Sequence, residues 1–150
     1  MKLLAAETGA GSGGRVEAER FFAALGELPL DQAMFLLEAD EHDSARAAVD
    51  RYLARRPESA RAHLVSGEIW RAAHDTPGSV DRALAEYEAA ASLPDTPAAA
   101  LRNKGLLHRE RGEAAAARDA FTRYLSVAPQ AIDAGLIRLY LAELEAPLAP

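Results

Sequence analysis

The sequence predicts an all-α chain, an α-solenoid of about three helix-turn-helix repeats with a capping helix at each end. Three observations predict it. Apolar residues recur at helical spacing along most of the chain, and the alternating Val/Ile/Thr runs of strands are absent. Gly, Pro and Asp/Ser clusters interrupt the pattern at short, regular intervals. Alanine, the best helix former, is abundant, while aromatics make up only 6%, which suits closely packed helices.

The elements follow in order. Residues 1–14 read as a flexible segment, because Gly9 to Gly14 carries four glycines in six positions. No Gly-Lys-Ser/Thr follows these glycines, so they are not a phosphate loop. Arg15 to Leu25 reads as a first helix, with Val16, Phe21, Phe22 and Leu25 on one side. Pro29 pre-sets the helix Leu30 to Glu38, and Asp40 to Asp43 breaks it. Ser44 is the expected cap of Ala45 to Arg55, which Pro57 stops. Ser59 is the expected cap of Ala60 to Ala73. A turn rich in breakers, His74 to Ser79, leads to Val80 to Ser92. Thr96 reads as a cap, with Pro97 at the first helical position. Leu101 to Arg111 and Glu113 to Val127 flank Gly112, and Ala131 to Glu145 is a strongly apolar last helix. One domain over residues 15–146, with a tail at 147–150, is the expected organisation.

Composition narrows the function. A net charge of −6 argues against nucleic acid, which calls for a basic stripe. The chain has no cysteine, which excludes disulfides, thiol catalysis and cysteine-ligated zinc. No window reads as a membrane span, and the short apolar start, Leu3 to Ala6, is too brief for a signal peptide. The expectation is a cytoplasmic protein with no membrane partner. His42, His63, His74 and His108 have no second histidine at i+3 or i+4, as helical zinc sites need. The acidic turn Glu38 to Asp43 lacks the mid-loop glycine and distal glutamate of a calcium loop. No Ser or Thr sits in a nucleophile elbow. The chain is therefore expected to be no enzyme and to carry no cofactor or metal.

Ala98 to Ala131 forms a helix–Gly turn–helix unit of 34 residues closed near Pro129. It resembles the tetratricopeptide repeat (TPR) family. That resemblance implies a small residue in each of the two helices of a repeat (Gly105 and Ala117), an inter-repeat aromatic (Phe121) and a closing proline (Pro129). Gly67, Ala83 and Tyr87 match in the middle repeat, where Trp70 is the large aromatic of the first helix and Pro94 falls one residue early. Gly67 to Ala83 spans sixteen positions against twelve for Gly105 to Ala117, so four extra residues are assigned to the His74 to Ser79 turn. Ala33, Ala45, Val49 and Pro57 match in the first repeat, with Val49 replacing the aromatic.

The stretch Ala62 to Leu144, with Arg123-Tyr124-Leu125 before Ala128-Pro129, also resembles the TPR tails of some bacterial envelope zinc metallopeptidases. Their H-E-x-x-H zinc helix is absent, so no catalytic residue carries over.

The TPR resemblance implies a partner-binding groove lined by the first helix of each repeat. Its candidates are Leu30, Met34 and Leu37, then Arg61, Leu64, Glu68 and Arg71, then Arg102, Asn103, Leu106 and Arg109. Four arginines there suit carboxylates of an acidic segment or a C-terminus. The lysine/asparagine/arginine set of carboxylate-clamp TPRs is missing. The expectations are a protein-interaction scaffold or adaptor with a protein or peptide partner, an assembly module forming a homodimer through the apolar C-terminal helix, or a regulatory tail.

Overall fold

A computed structural model describes residues 14–17, 20 and 29–146. Its helices are α1 (Pro29–Glu38), α2 (His42–Arg55), α3 (Ala60–Ala72), α4 (Ser79–Ala91), α5 (Ala98–Glu110), α6 (Ala114–Val127) and α7 (Ala134–Glu145). No strand occurs among the described residues. Sequential helices pack on one another, as the short connections require. The odd-numbered helices are the first helices of successive units and the even-numbered ones are their antiparallel partners. Of the first predicted helix, residues 15–17 and 20 are helical, and the rest lies outside the described residues.

Apolar packing is divided into three cores. One joins Leu30, Ala33 and Leu36 of α1, Ala45, Ala48 and Val49 of α2, and Ala62, Val65 and Ile69 of α3. A second joins Ala83, Tyr87 and Ala90 of α4 to Ala100 and Leu107 of α5, with Leu64 and Trp70 of α3 packed against it. The third joins Leu101, Ala117, Phe121 and Tyr124 to Ile137 of α7. Each core therefore spans one unit and the first helix of the next. A unit alone leaves its apolar faces in water, which is why repeats of this kind are stable only when stacked.

The paired glycines and aromatics explain how closely the helices approach. A Cβ built on Gly105 would lie 2.5 Å from Cδ1 of Phe121, and one on Gly67 would lie 2.7 Å from Cδ1 of Tyr87. Both rings are fully buried. The small residue of the first helix thus faces the aromatic ring of the second, with the buried alanines Ala83 and Ala117 one turn before each ring.

Two turns share one geometry. Asp40 and Gly112 both have positive φ, 63° and 74°. In each turn an amide reaches five residues back (Glu41 to Leu36, 2.8 Å; Glu113 to His108, 2.9 Å) and the preceding one three back. This is the Schellman closure of a helix end. It leaves residues 39–41 and 111–113 as the connections, against 73–78 in the middle unit. The middle turn is thus three residues longer, and the fourth extra residue lengthens the start of α4.

Several boundaries differ from the expectations. Ser44 is not a cap: α2 starts at His42, because the closure at Asp40 lets the chain re-enter a helix at once. Ser44 Oγ instead accepts from Arg15 (3.3 Å). Thr96 is not a cap either. Its hydroxyl donates back to the carbonyls of Leu93 (2.7 Å) and Ala91 (3.2 Å), closing the end of α4, and Pro97 takes the cap position. Helix α5 consequently begins at Ala98 rather than Leu101. Helix α7 begins at Ala134 rather than Ala131, behind an Asp133 held by Tyr124 and Arg102. Ser59 does cap α3, accepting from the Ala62 amide (3.2 Å).

Candidate functional site: the face of the first helices

Hydrogen bonds between successive first helices link five of the candidate residues, Arg61, Glu68, Arg102, Asn103 and Arg109, across the units. Arg61 of α3 donates to Asp31 of α1 (2.8 Å). Asn103 of α5 donates to Glu68 of α3. Arg102 of α5 donates to Asp133 at the start of α7 (3.3 Å), and Arg109 donates to Glu143 within α7 (3.3 Å). Arg109 also lies over the Tyr140 ring, 3.9 Å from its centroid. The face is crossed by a polar ladder that ties each unit to the next.

The individual positions differ in accessibility. Arg61 is exposed, and Arg71, Arg102 and Arg109 are half-buried. Asn103 is buried, with its carbonyl oxygen accepting from Arg102 Nε (3.2 Å) and its amide spent on Glu68. Glu68 also accepts from the Tyr87 hydroxyl (2.8 Å). Leu64 and Leu106 are half-buried and pack against the second and third cores. In the first unit Leu30 is fully buried and so faces the core, not the groove, while Met34 and Leu37 pack against that core from its edge. Leu30 falls inward because the helical period puts it on the stripe of Ala33 and Leu36.

Electrostatics follow from these contacts. Burial, then the charge of Glu68, raises the Tyr87 hydroxyl far above its ordinary value, and the nearby Arg71 opposes this. Tyr87 therefore stays protonated and donates. The hydrogen bond from Tyr124, reinforced by Arg102, holds the Asp133 carboxyl below the usual carboxylate range. Every described arginine in the ladder uses some of its five donors internally and keeps others. Arg102 commits Nε and Nη1, and Arg109 commits Nη2. A partner carboxylate would share these guanidiniums rather than find bare charges.

Sequence reasoning missed the ladder, although its signal was present. The paired residues are separated by 30, 31, 34 and 35 positions, close to one repeat. It also missed Trp70 held between Arg46 (4.8 Å) and Arg82 (4.7 Å), and His63 between Glu86 (2.7 Å) and the Pro57 carbonyl (2.8 Å). A hollow of about 600 Å³ lies elsewhere, between the α1–α2 and α3–α4 turns, and is lined by Asp40, His42, Arg46 and His74 among others. Among the described residues no group of three or more His, Asp or Glu is placed to hold a metal ion. None of the described helices is long and apolar enough to cross a membrane.

The tetratricopeptide repeat pattern matches residues 30–97 and 78–136, well over half of the chain. The chain belongs to the tetratricopeptide repeat family. No curated protein matches this TPR chain in sequence. Among solved structures it is similar to the type III secretion translocator chaperone SycD of Yersinia enterocolitica. That likeness has a TM-score of 0.68 at 14% identity and covers 91% of this chain and 94% of SycD. At that identity the likeness speaks for the fold.

Proposed function

We propose that this TPR protein is a non-catalytic scaffold or adaptor that holds an acidic segment, or a C-terminal carboxylate, of a protein partner on the face of its first helices. The observation that carries the reading is the cross-unit ladder. It ties Arg61, Arg102 and Arg109 of an otherwise acidic chain to acids of neighbouring units, the latter two through Asp133 and Glu143. Fixed guanidiniums lose little rotamer freedom on binding, and their remaining N–H groups suit carboxylate oxygens. Family membership supports a protein partner, and SycD, a translocator chaperone of similar fold, accords with it.

Capture of partners from a lysate of the source cells tests the reading. The wild-type chain is compared with Arg102→Gln/Arg109→Gln, and with Arg51→Gln/Arg55→Gln as a control of equal net charge change. Arg51 and Arg55 are exposed and lie on α2, away from the ladder. Loss of capture in the first pair alone is expected, by about tenfold per lost charged hydrogen bond. Equal capture by all three proteins contradicts the groove.

A further inference from the structure

The upstream first helices each have a face covered by their own second helix. In α5 that face carries Leu101 and Gly105, buried under Ala117, Phe121 and Tyr124 of α6. One 34-residue period later stand Gly135 and Leu139 of α7. Among the described residues nothing covers them: Leu139 is 55% exposed, its neighbour Leu136 is 48% exposed, and a Cβ on Gly135 would meet no atom within 4 Å. The opposite side of α7 is fully engaged, with Ala134 and Ile137 buried and Tyr140, Leu141 and Leu144 packed on the third core.

We infer that this face of α7 pairs with the same face of a second copy of the chain, antiparallel about a two-fold axis. Two features argue for a second copy rather than a foreign helix. First, the stripe is self-complementary in size. Leu139, Ala142 and Ala146 recur at i, i+3 and i+7, so one large side chain is followed by two small ones on the same face. Two such stripes laid antiparallel about a point between Leu141 and Ala142 set each Leu139 between the partner's Ala142 and the partner's Ala146. Second, the charges match. Arg138 and Glu145 are seven residues apart and share one edge of the stripe. In a two-fold antiparallel pair like edges meet, so Arg138 faces the partner's Glu145 and the reverse holds at the other end. Arg138 commits only Nη2, to the Pro129 carbonyl (3.0 Å), which leaves donors for that contact. A single helix pair covers less than the ~800 Å² per side of a standard interface, so the dimer is expected to be reversible, with a Kd of about 1 μM or weaker.

Sedimentation of the full chain across concentrations from about 1 μM to 1 mM tests this. A reversible monomer–dimer equilibrium is expected. Leu139→Asp, or Ala142→Arg as a second disruption, should weaken it about tenfold or more while circular dichroism shows the helices intact. Arg138→Glu and Glu145→Arg should each weaken it, and the double exchange should restore it. A chain that stays monomeric throughout overturns the proposal, whether or not another protein covers the face. So does a dimer indifferent to both disruptions, or a charge exchange that fails to restore it. Groove binding is read by Arg102 and Arg109 instead, so either reading can fail alone.

Discussion

Gly105 has no room for a side chain, because the Phe121 ring occupies the place a Cβ would take. Gly105→Ala gains about 1 kcal/mol of helix propensity and costs about 1–3 kcal/mol in overpacking. Net destabilisation is expected, with a lower urea midpoint, and Gly67→Ala should behave alike against Tyr87. A stabilised Gly105→Ala variant would mean that the ring can move aside. Asp133 is a second such residue, where Tyr124 and Arg102 meet the start of α7. Its carboxyl titrates below the usual range, chiefly through the Tyr124 hydrogen bond, and Glu88 does so through Lys104. In the unfolded chain these groups titrate near 4. A depressed folded value contributes stability that is present above that pH and lost as acid titrates the folded group. Urea unfolding at a series of pH values should show this acid loss, and Asp133→Asn should flatten part of it.

At the scale of elements, the turns decide where helices start. Asp40 and Gly112 fill the same left-handed position in equivalent closures. Asp tolerates that conformation at a cost and Gly adopts it freely. Asp40→Gly is therefore expected to preserve or raise thermal stability, whereas Gly112→Ala should cost about 1–2 kcal/mol. Helix existence was legible because it rests on apolar period and on prolines, which are local. Starts were less so, because capping residues have competing partners. Thr96 found the open carbonyls of the preceding helix, and Ser44 was overtaken by a helix that began two residues earlier. Ser59 met no such competitor and caps as its sequence context implies.

At the scale of the whole molecule, the repeat architecture was legible because small and aromatic residues recur at the period that stacking requires. The packing detail was not: the glycines lie under aromatic rings, and α7 divides into a buried side and an open one. The candidate site on the first helices was legible only in part. Arg61, Arg71, Arg102 and Arg109 could be placed by counting from repeat starts. The acidic partners of Arg61, Arg102 and Arg109 lie one unit away, and only the fold brings those within reach. Asn103 is buried for the same reason, since it sits where α5 meets the preceding unit.

The ladder is at once a joint between units and the proposed carboxylate site. Selection of random displayed peptides on the full chain tests that double role most directly. Enrichment of peptides with acidic residues or a free C-terminal carboxylate is predicted, with binding weakened about tenfold or more by Arg102→Gln/Arg109→Gln. Selected peptides without acidic preference, or binding unchanged by the double substitution, would contradict the account.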